Sequence, residues 1–128
     1  MNKKLQESFN KILERKNILQ DTDKLISLKD ISRKGKHLFK LEKYTYLFQH
    51  NNKEKCFFFE RLKRKKIKGP KTAKMLQVGK IEYRLSYFIV GKNGNKKDKW
   101  TFGQFCPTIP PRDFNKLLSK AKEEKVLR

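Results

Sequence analysis

Lys80-Ile81-Glu82-Tyr83-Arg84-Leu85-Ser86-Tyr87-Phe88-Ile89-Val90 is the stretch that decides the fold of this chain. In an extended backbone Ile81, Tyr83, Leu85, Tyr87 and Ile89 fall on one face, and Glu82, Arg84, Ser86, Phe88 and Val90 on the other. Aromatic and β-branched residues suit a pleated surface, so a strand is predicted over 80–90. Gly91-Lys92-Asn93-Gly94-Asn95-Lys96-Lys97-Asp98-Lys99 follows as a long basic hairpin tip. Trp100 to Cys106 then returns as a further strand, with Gly103 at a bulge.

The same alternation extends upstream. Tyr44, Tyr46 and Phe48 alternate with Thr45 and Leu47 up to the turn-like His50-Asn51-Asn52, and Lys55 to Leu62 forms the second arm of a hairpin. Within that arm Phe57 and Phe59 share one face and Phe58 the other, as a strand buried on both sides requires. Downstream, Pro107, Pro110 and Pro111 close the sheet. Pro111 suits a first helical turn and Asp113 its positive end. Phe114, Leu117, Leu118 and Ala121 make the apolar stripe of a helix over 111–125.

At the other end, Leu5, Phe9, Ile12 and Leu13 recur at helical spacing over 3–19. Asp21-Thr22-Asp23 breaks this helix before a second short helical segment carrying Leu25, Ile26 and Leu28. The helix stripe suits either the core or a homodimer or partner contact. The expected fold is therefore α+β: a four-stranded antiparallel sheet made of two hairpins, with N-terminal helical segments and a C-terminal helix packed on one face. Residues 1–32 form the helical segment and 33–128 the basic sheet domain, whose second face is expected to be free.

Charge points to the partner. The 128 residues carry a formal net charge of +21, of which 1–32 hold seven cations against five anions and 33–128 hold 27 against eight. Self-repulsion of that size does nothing for a fold, so a polyanion is the simplest partner. Arg61, Lys63, Arg64, Lys65, Lys66 and Lys68, in the dense run 61–74 that contains the Gly69-Pro70 break, are read as one mobile phosphate-contact loop. Lys92, Lys96, Lys97 and Lys99 are read as a second, and Arg33-Lys34-Gly35-Lys36 as a further basic loop. Arg84 and Phe88, with Tyr46 or Trp100 beside them, are placed on the free face as base-stacking residues.

From Lys80 onward the order of strand, Lys-rich hairpin, strand, proline and helix resembles the positive-cofactor-four coactivators and their Whirly and Pur-alpha relatives. That resemblance is one of element order and implies single-stranded nucleic-acid binding. It does not account for Trp100-Thr101-Phe102-Gly103-Gln104-Phe105-Cys106-Pro107. An RNA-recognition motif would place a helix between its first two strands, and a helix-turn-helix would carry its cations on helices. Neither pattern is present in the sequence.

Non-enzymatic binding of nucleic acid, DNA or RNA with single strands favoured, is the leading expectation. A small metal-dependent nuclease is the alternative, with Glu60 and Glu82 on adjacent strands as its metal-binding acids, drawn from Glu54, Glu60, Glu82, Asp98 and Asp113. A basic adaptor for an acidic protein is the third. The order His-x12-His-x5-Cys-x49-Cys of His37, His50, Cys56 and Cys106 lacks the paired short spacings of a zinc site, so neither metal nor cofactor is expected. No apolar run approaches the ~20 residues of a membrane span. The polar N-terminus gives no signal-peptide core, and an intracellular location follows: cytoplasmic, nucleoid-associated, or nuclear given the import-like run Lys63 to Lys66.

Overall fold

Phe57-Phe58-Phe59 lies in the middle strand of a five-stranded antiparallel sheet, and its alternation fixes what covers each face. The computed structural model describes residues 1–28, 36–68 (67 and 68 by backbone only) and 78–128. Along the chain these form α1 (Lys3–Asp21), β1 (Ile26–Leu28), β2 (Lys36–Gln49), β3 (Asn52–Lys68), β4 (Ile81–Val90), β5 (Trp100–Phe102) and α2 (Pro111–Glu123). Each strand pairs with the next in sequence. The long β2 and β3 slip register at Leu38/Phe39, Leu41/Lys43 and Phe48/Gln49, and such bulges bend and curl a sheet.

Both faces are covered, which corrects the expectation of a free one. Phe58 and Cys56 point with Phe88, Val90 and Trp100 toward α1, where Leu5, Phe9 and Ile12 close the larger core. Phe57 and Phe59 point the other way, toward Leu117 and Ala121 of α2 and Val126 beyond it. A third cluster of Phe39, Leu41 and Leu62 sits beneath Leu19 and β1. The apolar stripe of α1 thus packs inside its own chain through Leu5, Phe9 and Ile12.

Local chemistry holds α1 in place at both ends. The Asn2 side chain accepts from the Leu5 amide at 2.8 Å, satisfying one of the donors that a helix start leaves open. At the far end the Lys40 ammonium, reaching from β2, donates to the carbonyls of Leu19, Gln20 and Thr22. A cation there also complements the negative end of the helix. On the opposite face His50, at the β2–β3 turn, hydrogen-bonds through Nδ1 to the buried Asp113 at 2.7 Å and so ties that turn to the start of α2.

Three further expectations are corrected. Ile26–Leu28 is not helical but an edge strand paired with His37 to Phe39, because three apolar-polar-apolar residues carry no helical period and the open edge of β2 captures them. It makes the sheet five-stranded rather than four. Arg61 to Lys68 continues β3 instead of forming a mobile loop, since Leu62 is buried and Arg64 has partners on both neighbouring strands. The final strand ends at Phe102, not Cys106. There the Gly103 amide donates to the Tyr87 carbonyl, and a side chain at Gly103 would meet the Tyr87 ring at 2.1 Å. The basic loop at 33–35, the Lys68 side chain and the run 69–74 lie outside the described residues. Among the described residues no helix is long and apolar enough to cross a membrane.

Candidate functional site

The sheet divides the cations into those held internally and those presented outward. Glu60 is 0 % exposed and accepts from Arg84 Nε at 2.7 Å, Arg84 Nη2 at 3.1 Å and Lys16 Nζ at 2.9 Å. Burial alone would raise its carboxyl, but the hydrogen bonds and charges of Arg84 and Lys16 outweigh this and hold it below the ordinary value. Burial in turn lowers the Lys16 ammonium, against the opposing pull of Glu60. Arg64, 1 % exposed, bonds His37 at 2.7 Å and Glu82 at 2.6 Å. Arg61 engages Glu42 at 2.9 Å and the Lys125 carbonyl at 2.8 Å.

Several of the residues expected to meet nucleic acid are therefore engaged within the protein. Arg61, Arg64 and Arg84 have internal partners. Phe88 and Trp100, at 8 % and 6 % exposure, lie beneath α1 rather than on an open stacking face. Tyr46 packs on Phe9 and Phe58 in the same core. Lys63 is half-buried, while Lys65 and Lys66 are exposed. They belong to the end of β3 opposite the hairpin tip, since Lys63 pairs with Ile81 and Lys55 with Ile89. At ~3.3 Å per residue the two basic clusters lie about 30 Å apart and cannot form one patch. Lys92 pairs with Glu54 at 2.6 Å, and Lys97 is exposed on the tip.

Lys96 and Lys99 are brought to something the sequence reading did not include. They form, with Asn95, one bank of a groove of about 600 Å³ whose other bank is α1, through Lys4, Lys11 and Arg15. Ile12, Phe88, Trp100 and Phe102 line it between the banks, and among the described residues that line it Glu7 is the one carboxylate. The banks are joined where the Trp100 amide donates to Ser8 Oγ at 3.0 Å. Lys4, Lys11 and Arg15 fall at i, i+7 and i+11, spacings that place them on a single flank of a helix. Glu14 and Asp21 lie instead with Asn10, Leu13 and Asn17 along another flank. A helix nearly neutral in total is therefore polarised across its width. Counting charge hides this, whereas the spacing would have revealed it.

The tip that carries Lys96 and Lys99 is held by backbone. Gly91 N–H donates to the Lys99 carbonyl at 3.0 Å and Asp98 N–H to the Gly91 carbonyl at 2.9 Å, around the 3-10 turn Gly94–Lys96. A side chain on Gly91 would place Cβ 2.1 Å from the Lys96 carbonyl oxygen, and backbone cannot swing aside as a side chain does. Gly91→Ala should therefore cost about 1–3 kcal/mol, as overpacking typically does. Denaturant unfolding would show it, together with lost amide protection over 91–100. An unchanged stability would mean that the tip is looser than these bonds imply.

The groove joins cations on two sides to an aromatic floor, and so suits a polyanion that carries flat apolar groups. The acids considered for a nuclease are placed differently. Glu60 and Glu82 are each occupied by arginine, and among the described residues no group of three His, Cys, Asp or Glu side chains converges as a metal site. Cys56 is buried, with its thiol pushed up to about 12 chiefly by burial, while Cys106 is exposed; both are free. No protein family, curated protein or solved structure compared with this chain matches it.

Proposed function

We propose that this protein binds nucleic acid through the groove between α1 and the β4–β5 hairpin, with phosphate contacts supplying most of the affinity. One observation carries the reading: five exposed cations, Lys4, Lys11 and Arg15 on α1 and Lys96 and Lys99 on the hairpin, face one another across a groove with the exposed Phe102 between them, against a single carboxylate, Glu7, among the described residues that line it. Opposed banks of like charge repel each other, and a bound polyanion removes that repulsion. The groove and the overall charge of +21 support this function; element order does not enter.

Binding of labelled mixed-sequence single strands and duplexes, DNA and RNA, followed across salt concentrations, tests it. Each neutralised phosphate of a single strand contributes a slope of about −0.7 in log affinity against log salt. Five contacts thus predict a fall of about a hundredfold between about 50 and about 200 mM salt. Affinity indifferent to salt, or no binding at micromolar protein, would overturn the proposal. Equal affinity for polyglutamate of matched length would assign the groove to an acidic protein instead.

A further inference from the structure

We infer that Phe102 is a base-stacking residue, and that the groove takes an unpaired strand rather than a duplex; this rests on the nucleic-acid reading above. Phe102 closes β5 with 49 % of the residue exposed, although its neighbours on the same face, Phe88 and Trp100, are buried. The ring meets Phe88 edge-on, with centroids 5.3 Å apart at 85°, so one partner fixes it while much of its surface stays open. Lys99 precedes it by three residues, and Lys11 and Arg15 line the bank across from it. A site built for phosphates alone has no use for a half-bare ring among cations. An unpaired strand offers both things the groove is lined to receive: phosphates for the banks and the π-face of a base for the ring.

Size separates the two forms of nucleic acid. At about 600 Å³ the groove is of the class that takes single small molecules, roughly 300–1,000 Å³, so it admits a splayed nucleotide or two. A duplex is far wider and keeps its base faces stacked inside, out of reach of a ring on the groove floor. Stacking is tolerant of sequence because every base has a π-face. The groove should therefore distinguish strandedness more sharply than sequence.

The test compares wild type with Phe102→Leu and Phe102→Ala on three probes: an intact single strand, the same strand with abasic sites through its centre, and a duplex of equal length. Leucine keeps apolar contact with Phe88 and removes only the aromatic face. Trp100 is the one tryptophan of the chain and lines the groove, so its emission in the free proteins reports whether the floor is unaltered. The expected result is a loss of about tenfold for the intact strand in both variants, with the abasic strand and the duplex unchanged and the salt slope retained. Phe102→Trp should restore binding of the intact strand. Wild-type affinity in Phe102→Leu overturns the stacking role, as does an equal loss on intact and abasic strands. Either result leaves the nucleic-acid reading standing, provided that the wild type binds and that binding falls steeply with salt. No binding of any probe by the wild type removes both.

Discussion

Glu60→Gln is expected to destabilise the protein by about 3–5 kcal/mol, the cost of breaking a buried ion pair from one side. Glu60 is fully enclosed and is the counter-charge for two cations, Arg84 through both carboxylate oxygens and Lys16 through one. A glutamine offers one weaker acceptor and turns an NH2 group toward a cation, so Lys16 and Arg84 lose their anion in a desolvated place. Lys16→Met should cost much less. It removes an ammonium whose charge burial already disfavours, and it leaves the Arg84–Glu60 pair intact. Urea unfolding of the three proteins gives the order. A Glu60→Gln variant as stable as wild type would show that the network is solvated.

The same group predicts an acid dependence. The Glu60 carboxyl lies below its ordinary value of 4.5 in the folded protein, so its contribution is complete above that value. It is lost as the pH falls below about 4.5 through the folded-state value. The Glu60→Gln variant lacks this proton uptake. The stability gap between it and wild type should therefore narrow on acidification.

The second large effect concerns binding. Changing Lys11, Arg15, Lys96 and Lys99 together to Gln should weaken single-strand affinity by about a hundredfold or more at low salt and flatten the salt slope by about 3. All four are exposed, so stability should stay within about 0.5 kcal/mol of wild type. The decisive comparison is Lys63→Gln with Lys65→Gln and Lys66→Gln, a set at the far end of β3 where charge density along the sequence is greatest. Loss confined to that set would move the interface to where the sequence alone suggests it. Arg61 and Arg64 are left out of both sets because their removal would also disturb Glu42, His37 and Glu82 and so mix stability into the binding readout.

Much of the fold was legible because its signals are local. The alternation over 81–90, the helical spacing of Leu5, Phe9 and Ile12, and the Pro111 helix start each depend on neighbours a few residues away. The double-sided burial of Phe57-Phe58-Phe59 was legible too, but its consequence, a helix layer on each face, was not drawn for α1. What escaped depends on distant partners. Arg64 reads as one more cation in a charged run until β2 and β4 bring His37 and Glu82 to it. Ile26-Ser27-Leu28 is too short to declare a period. Lys96 and Lys99 were identifiable from the hairpin, whereas Lys4, Lys11 and Arg15 were obscured by summing the charge of α1. Phe102 stood in a string to which no role had been given.

The Ser8–Trp100 contact joins positions 92 apart in sequence, and this gives the groove an order of assembly. Every strand pairs with its immediate successor, so the sheet can grow as a chain of hairpins with modest loop-closure cost at each step. α1, although it comes first, has no complete docking surface until Phe88, Val90 and Trp100 are in place. A chain still being synthesised therefore has its most charged strands before it has the groove. Until α1 docks, the rings of Tyr46, Phe48, Phe58 and Phe88 lack the cover that Leu5, Phe9 and Ile12 give them in the folded protein, and aromatic surface left open in that way is prone to associate with other chains. Docking of α1 ends that exposure and leaves the groove along its flank.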